Sequence, residues 1–113
     1  MPEPRLKAGL WVRALLRQAA AAGHTGAVLR RGDPDAGAVL VVLRDRAGGL
    51  AVLSQTRDAE GEPAWTRATG SVPVDQEAVD AYVARAERRD PDLWVVEFDG
   101  PNLSPPFPAR LLD

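Results

Sequence analysis

The stretch Ala38-Val39-Leu40-Val41-Val42-Leu43 is apolar at every position and half valine. Its shortness and β-branching favour a strand over a helix. Side chains alternate across a strand, so Val39, Val41 and Leu43 share one face and Ala38, Leu40 and Val42 the other. A strand that is apolar on both faces needs cover on both faces. The stretch Leu93-Trp94-Val95-Val96-Glu97-Phe98 has the same character, with Trp94, Val96 and Phe98 on one side and Leu93 and Val95 on the other. The fold is therefore organised around a β layer that must be hidden from water twice.

Two helices are available to hide it. Residues 9–22 place Trp11, Val12, Leu15, Leu16, Ala19 and Ala22 on one side of a helical wheel and Arg13, Arg17 and Ala20 on the other, a core stripe opposite a solvated basic one. Gly23 is a natural left-handed terminator. A second helix starts after Asp75, a good N-cap, with Val74 and Val79 at the spacing of a hydrophobic staple. Val79, Tyr82, Val83 and Ala86 form its apolar stripe. Arg88 and Arg89 suit its C-terminal dipole, and Asp90-Pro91 stops it.

Between the helices, residues 26–31, 38–43, 50–54 and 65–67 read as strands. They are separated by turn chemistry at Gly32-Asp33-Pro34-Asp35-Ala36-Gly37, at Arg44–Gly49 and in the polar loop Thr56–Pro63. The expected fold is α+β: an antiparallel sheet of four to five strands with two helices, in the order α-β-β-β-β-α-β. Residues 1–99 read as a single domain. Residues 100–113 read as a Pro-rich C-terminal arm, with Pro101, Pro105, Pro106 and Pro108, unsuited to a regular ladder. If both helices lie on one side, the other face exposes an apolar patch. Either a second copy packs on it, through Val39, Val41 and Leu43, or the arm covers it with Leu103, Phe107, Leu111 and Leu112.

Composition bounds the chemistry. The chain has 113 residues with 45% hydrophobic and 27% charged content, ordinary for one globular domain. There is no cysteine and one histidine, His24. A disulfide framework, a thiolate metal site and a cysteine nucleophile are excluded, as is a multi-histidine metal site within one chain. No run approaches the roughly 18 apolar residues of a membrane span, and the start does not read as a signal peptide. A soluble cytoplasmic protein is expected. Residues 1–31 carry six basic side chains against Glu3 alone, a net of +5, which leaves −7 for the remainder of a chain whose net charge is −2.

The turn from Arg30 to Gly37 concentrates the polar chemistry. Arg30, Arg31, Asp33 and Asp35 there, with Trp65 as an exposed aromatic anchor, form the candidate small-ligand or anion site. The plainer reading is a hairpin connector in which the aspartates bond their own backbone. Arg13 and Arg17 are the candidate contacts for an acidic partner surface. His24 reads as a surface imidazole at a helix C-terminus. No catalytic residue, cofactor or metal site is nominated, because no Gly-x-Ser-x-Gly, P-loop or dinucleotide fingerprint is present.

The combination of Arg5-Leu6-Lys7 and Trp11-Val12, Arg30-Arg31-Gly32-Asp33 with Ala36-Gly37, and Asp90-Pro91-Asp92-Leu93-Trp94-Val95-Val96-Glu97 resembles a family of small bacterial proteins, domain of unknown function 1491. The resemblance covers roughly residues 5–98 and leaves the Pro-rich tail outside. It implies a compact bacterial cytoplasmic domain and carries over no activity, cofactor or catalytic residue. From the residues themselves, the leading expectation is a small non-enzymatic protein-interaction or regulatory module, homodimeric or docked on another protein. The alternatives are a small-ligand or anion-binding protein, or an enzyme, using the Arg30–Gly37 turn, and a nucleic-acid contact through the basic first helix.

Overall fold

The structure, a computed structural model, describes residues 7–112. The elements run α1 (Ala8–Ala21), β1 (Gly26–Arg30), β2 (Val39–Arg44), β3 (Leu50–Arg57), β4 (Pro63–Arg67), α2 (Gln76–Arg89), β5 (Trp94–Asp99) and β6 (Leu111–Leu112). They form an α+β fold with one sheet of six strands in the order β1-β5-β2-β3-β4-β6. Of Arg5-Leu6-Lys7, whose sequence reads as a short strand or an extended lead-in, only Lys7 lies among the described residues.

The sheet is mixed, which corrects the expected antiparallel meander of four to five strands. β2 pairs antiparallel with β3 and β3 with β4, but β5 enters between β1 and β2 and runs parallel to β2, with Val41 beside Val96. The helix α2 makes this possible, since a parallel neighbour needs a long crossover that a tight turn cannot supply. The two strands that are apolar on both faces, β2 and β5, are side by side in the interior of the sheet. That is where two-sided burial is satisfied.

Each face has its own helix. On one side Val39, Val41, Leu43, Leu53, Trp65, Trp94, Val96 and Phe98 meet Val12, Leu15 and Ala19 of α1. On the other, Leu40, Val42, Val52, Leu93 and Val95 meet Val79 and Ala86 of α2. One helix ends and the other begins as its sequence indicates. After α1, Gly23 N–H donates to Ala20 and His24 N–H to Ala19, the paired bonds of a Schellman ending. At the start of α2 the Asp75 carboxylate accepts from Ala78 N–H at 2.9 Å.

The Pro-rich arm takes the covering role that its apolar residues offered. Phe107 is buried, 6% exposed, against the α1-side core, and Leu103, Ala109 and Leu111 pack beside it. The reading that this segment joins no ladder fails at its end. Leu111 and Leu112 follow the last proline, Pro108, and pair in parallel with Trp65 and Thr66.

Candidate functional site

Three segments distant in sequence converge at one end of the sheet. The loop from Arg31 to Ala38 is clasped to the turn from Asp90 to Trp94. Asp33 N–H donates to the Asp92 carbonyl at 3.1 Å, and Trp94 N–H donates to Ala38 at 2.9 Å. The Trp94 indole Nε1–H donates back to the Asp33 carbonyl at 2.8 Å, while Ala38 N–H meets Asp90 Oδ2 at 2.8 Å. The α1 N-terminus joins them through Gly9 N–H to the Pro34 carbonyl, 2.9 Å. Two glycines let the backbones close. A Cβ on Gly32 would lie 2.1 Å from the Asp92 carbonyl oxygen, and one on Gly37, at φ +100°, 2.0 Å from the same atom.

The turn chosen as a ligand site is thus largely occupied in holding the chain together. The Arg30 guanidinium donates to the carbonyls of Pro91 and Leu93 and pairs with Glu87 of α2 at 3.3 Å. Arg31 lies over the Trp94 ring, 5.9 Å from its centroid. Asp33 Oδ1 accepts from Asp35 N–H at 3.2 Å, the local turn bond of the plainer reading. Asp35 pairs with Lys7 at 3.5 Å, both exposed. Trp65 is not with them and is no exposed anchor. It is 3% exposed and wedged between Trp11 and Phe107, with centroids at 5.4 and 5.8 Å. Burial wins because the inward face of β4 lies under α1 and the tail.

Val39, Val41 and Leu43, the expected faces for a second copy, are 0–1% exposed beneath α1. Neither face of the sheet centre is left bare, so the layer makes no demand for a companion there. Arg13 and Arg17 are exposed and form no ion pair among the described residues. His24 Nδ1 lies 3.2 Å from the Asp99 carbonyl, in an open groove with Thr25, Arg46 and Gly100. No group of three or more metal-ligating side chains converges among the described residues. No helix among them is long and apolar enough to cross a membrane.

The surface that stands out is one the sequence reading did not select. β1 is the end strand of the sheet, and no strand lies on its outer side among the described residues. Asp99 N–H donates to the Thr25 carbonyl. By the alternation of an antiparallel ladder, the N–H and C=O of Gly26 and Val28 then point outward. Val28 is 42% exposed and Leu29 56%. The register slips between Val28 and Arg30, a bulge that turns Leu29 and Arg30 toward α2. There they border a trough of about 280 Å³ whose floor is Val42, Val79 and Val95 and whose wall is α2, with Asp80, Ala84 and Glu87. One signal for this existed. Once two strands need interior positions, the short strand ending in Arg30-Arg31 is left for an edge.

On the opposite face, the side chain of Leu16 covers Gly26, where an added Cβ would sit 2.7 Å from it. Trp11 leans the other way, over β4. At about 100° per residue, Arg13 and Arg17 lie on the side of α1 turned away from the buried stripe of Val12, Leu15 and Ala19. On its α2 face, the outer edge of β1 borders a largely apolar trough.

No match is found among the curated proteins. The structure is similar to the crystal structure of a DUF1491 family protein from Caulobacter crescentus CB15, at 36% identity and TM-score 0.83, covering 96% of this chain and 100% of that one. It is similar to the NMR structure of a DUF1491 family protein from the same organism, at 35% identity and TM-score 0.81, over 98% and 100% of the two chains. It is also similar to the solution structure of protein Atu0922 from A. tumefaciens, at 28% identity and TM-score 0.80, over 97% and 98%. The family model described as "Protein of unknown function (DUF1491)" matches residues 6–108. That span takes in Phe107 and most of the Pro-rich tail, so the tail is not an addition to the family's domain. The clasp is built from the same residues that carry the resemblance, Arg30 to Gly37 and Asp90 to Trp94, and on this evidence the chain belongs to the DUF1491 family.

Proposed function

We propose that this protein is an interaction module that receives a segment of a partner along β1 and in the trough between β1 and α2. The carrying observation is the exposure of Leu29, 56%, on an edge strand with no outer neighbour among the described residues, beside an apolar trough. Native sheets commonly blunt their edges, and an open apolar edge is a template for pairing. A cytoplasmic location, which the cysteine-free composition fits, belongs to the same proposal. A photo-crosslinking residue placed at Leu29 or Ala84, and as a control at Val72, tests the surface in living cells. Val72 is 71% exposed and lies outside the trough lining. The expected result is one discrete adduct from the first two positions and none from the third. The adduct partner, identified by mass and purified, should bind the chain and lose binding to Leu29→Asp. No position-specific adduct, or a partner indifferent to Leu29→Asp, overturns the proposal. An adduct of twice the chain's mass would make the partner a second copy.

A further inference from the structure

We infer that the segment received at β1 is an extended strand of another protein that carries an apolar side chain and, two residues away, a lysine or arginine. This rests on the interaction surface proposed above and names the chemistry of its occupant. The trough holds about 280 Å³, below the roughly 300 Å³ at which small-molecule pockets begin. That size, beside the outward N–H and C=O groups of Gly26 and Val28, suits the side chains of a docked strand. The valine floor and the exposed Leu29 call for an apolar group.

The charge of the trough calls for a cation as well. Its charged residues are Arg30, Asp80 and Glu87, a net of −1. Arg30 is engaged at one end, with Glu87 at 3.3 Å and with the carbonyls of Pro91 and Leu93. Asp80 stands at the other end, where a polar chain crosses from the sheet to α2. Arg44 Nη2 donates to Glu97 Oε1 at 3.0 Å and to Gln76 Oε1 at 3.1 Å, and Gln76 Nε2 donates to Asp80 Oδ1 at 2.8 Å. The chain therefore reaches the Asp80 carboxylate through a neutral amide, which orients it without cancelling its charge. A charge-assisted bond to an incoming ammonium or guanidinium group is the stronger pairing. The same two ends are marked on β1. Arg30 reaches Glu87 at one, and at the other Ala27 lies directly opposite Glu97 in the ladder and shares its face. A strand that sets its apolar side chain beside Leu29 sets its next side chain on that face beside Ala27, at the Asp80 end of the trough. An acidic side chain there would meet like charge. A second copy fits poorly, because the bulge between Val28 and Arg30 leaves it Gly26, Ala27 and Val28 as its straight edge, none of them basic.

The probes are three capped peptides with a neutral fluorophore and threonine at every second position. In the first the remaining positions alternate leucine and lysine, in the second leucine and glutamate, and the third is the first with every amide N-methylated. Binding is read by anisotropy and by amide shifts of the full chain in NMR spectra. The leucine–lysine peptide should bind saturably, shifting the amides of residues 26–29 and 79–84. The leucine–glutamate peptide should bind at least tenfold more weakly, and N-methylation should abolish binding because it removes the ladder donors. Asp80→Lys should reverse the charge preference. Glu77→Lys, the same change of charge at an exposed position of α2 outside the trough, should keep it. Asp80→Asn, which retains an oxygen for Gln76, should cut the preference at least threefold and covers the case in which Asp80→Lys fails to fold. Equal binding of both charge types, a preference that Glu77→Lys removes as readily as Asp80→Lys, binding that survives N-methylation, or shifts centred elsewhere would each overturn the inference. So would a concentration-dependent dimer that shifts the same β1 amides, which assigns the edge to a second copy. If no peptide binds while the Leu29 cross-link partner still does, the basic strand is refuted and the interaction surface stands.

Discussion

The Trp94 indole and the Asp33 backbone hold each other across a sequence distance of 61 residues, Nε1 to carbonyl oxygen at 2.8 Å. Trp94 belongs to the core, 5% exposed, so its N–H has to find a protein acceptor and the loop supplies one. The bond uses the main chain of Asp33, not its carboxylate. Trp94→Phe should therefore cost about 1–3 kcal/mol, since it leaves that carbonyl without its donor. Asp33→Ala should cost only about 0.5–1 kcal/mol, because it removes one exposed turn bond to Asp35. Urea denaturation followed by far-ultraviolet circular dichroism measures both. A reversed order would mean that the carboxylate, not the backbone, carries the junction.

Gly32 and Gly37 both face one carbonyl, that of Asp92, with no room for a Cβ at either position. An alanine at either position must push apart two backbone segments, and neither can yield as a flexible side-chain end would. Gly32→Ala and Gly37→Ala should each lose about 3 kcal/mol or more. Gly48→Ala provides the comparison. It also sits at positive φ, +87°, but nothing lies within 4 Å of its added Cβ. Its expected cost is the left-handed strain alone, about 1–2 kcal/mol. Equal losses at all three positions, measured by thermal unfolding, would deny the close approach.

Much of this architecture was written in periodicity. The two-sided strands, the two helix stripes, the Asp75 cap and the Gly23 ending are all local patterns, and local patterns survive into the fold. The parallel pairing of β2 with β5 was not legible, because strand order depends on which long connection packs where, and no residue spacing encodes it. Trp65 was misread for a related reason. A polar loop before it suggests exposure, but its ring points under α1 and Phe107. The candidate site was half legible. Arg30 and Asp33 stand out in the sequence as concentrated polar chemistry, but a motif search does not see their distant partners, the carbonyls of Pro91, Asp92 and Leu93 and the Trp94 indole N–H. The β1 edge was missed because exposed and buried valines look alike in sequence.

Phe107 closes the α1-side core from outside the central strands, 5.4 Å from Phe98 and 5.8 Å from Trp65 between ring centroids. The tail therefore acts as part of the core's cover. Phe107→Ala should destabilise the protein by about 3–5 kcal/mol, the range for emptying a buried aromatic site. It should also shift tryptophan emission to longer wavelength as water reaches Trp65, and speed proteolysis within residues 101–110. Stability within about 0.5 kcal/mol of the parent would reduce the tail to an ornament on a complete core.

The same tail is tied down by charge at Asp58, whose side chain is 3% exposed. Its Oδ1 accepts from Glu60 and Glu62 N–H, each at 2.9 Å. Its Oδ2 has no aligned hydrogen bond but lies 3.2 Å from Arg110 Nη1. The Glu62 N–H first, then the Glu60 N–H and the Arg110 charge, outweigh desolvation and hold the carboxyl below the usual aspartate range. A depressed folded-state value means that the contribution is complete above the unfolded pKa, about 3.9, and is lost as pH falls through the folded value. Asp58→Asn keeps an oxygen for the two N–H groups and discards the charge. Its melting temperature should be below the parent's at neutral pH, and the gap should narrow as pH falls from about 5 to about 2. In Arg110→Ala, an NMR titration of the Asp58 carboxyl carbon should move up but stay below the ordinary value, because the larger cause is the Glu62 backbone. A return all the way to that value would make Arg110, not the turn, the source of the shift.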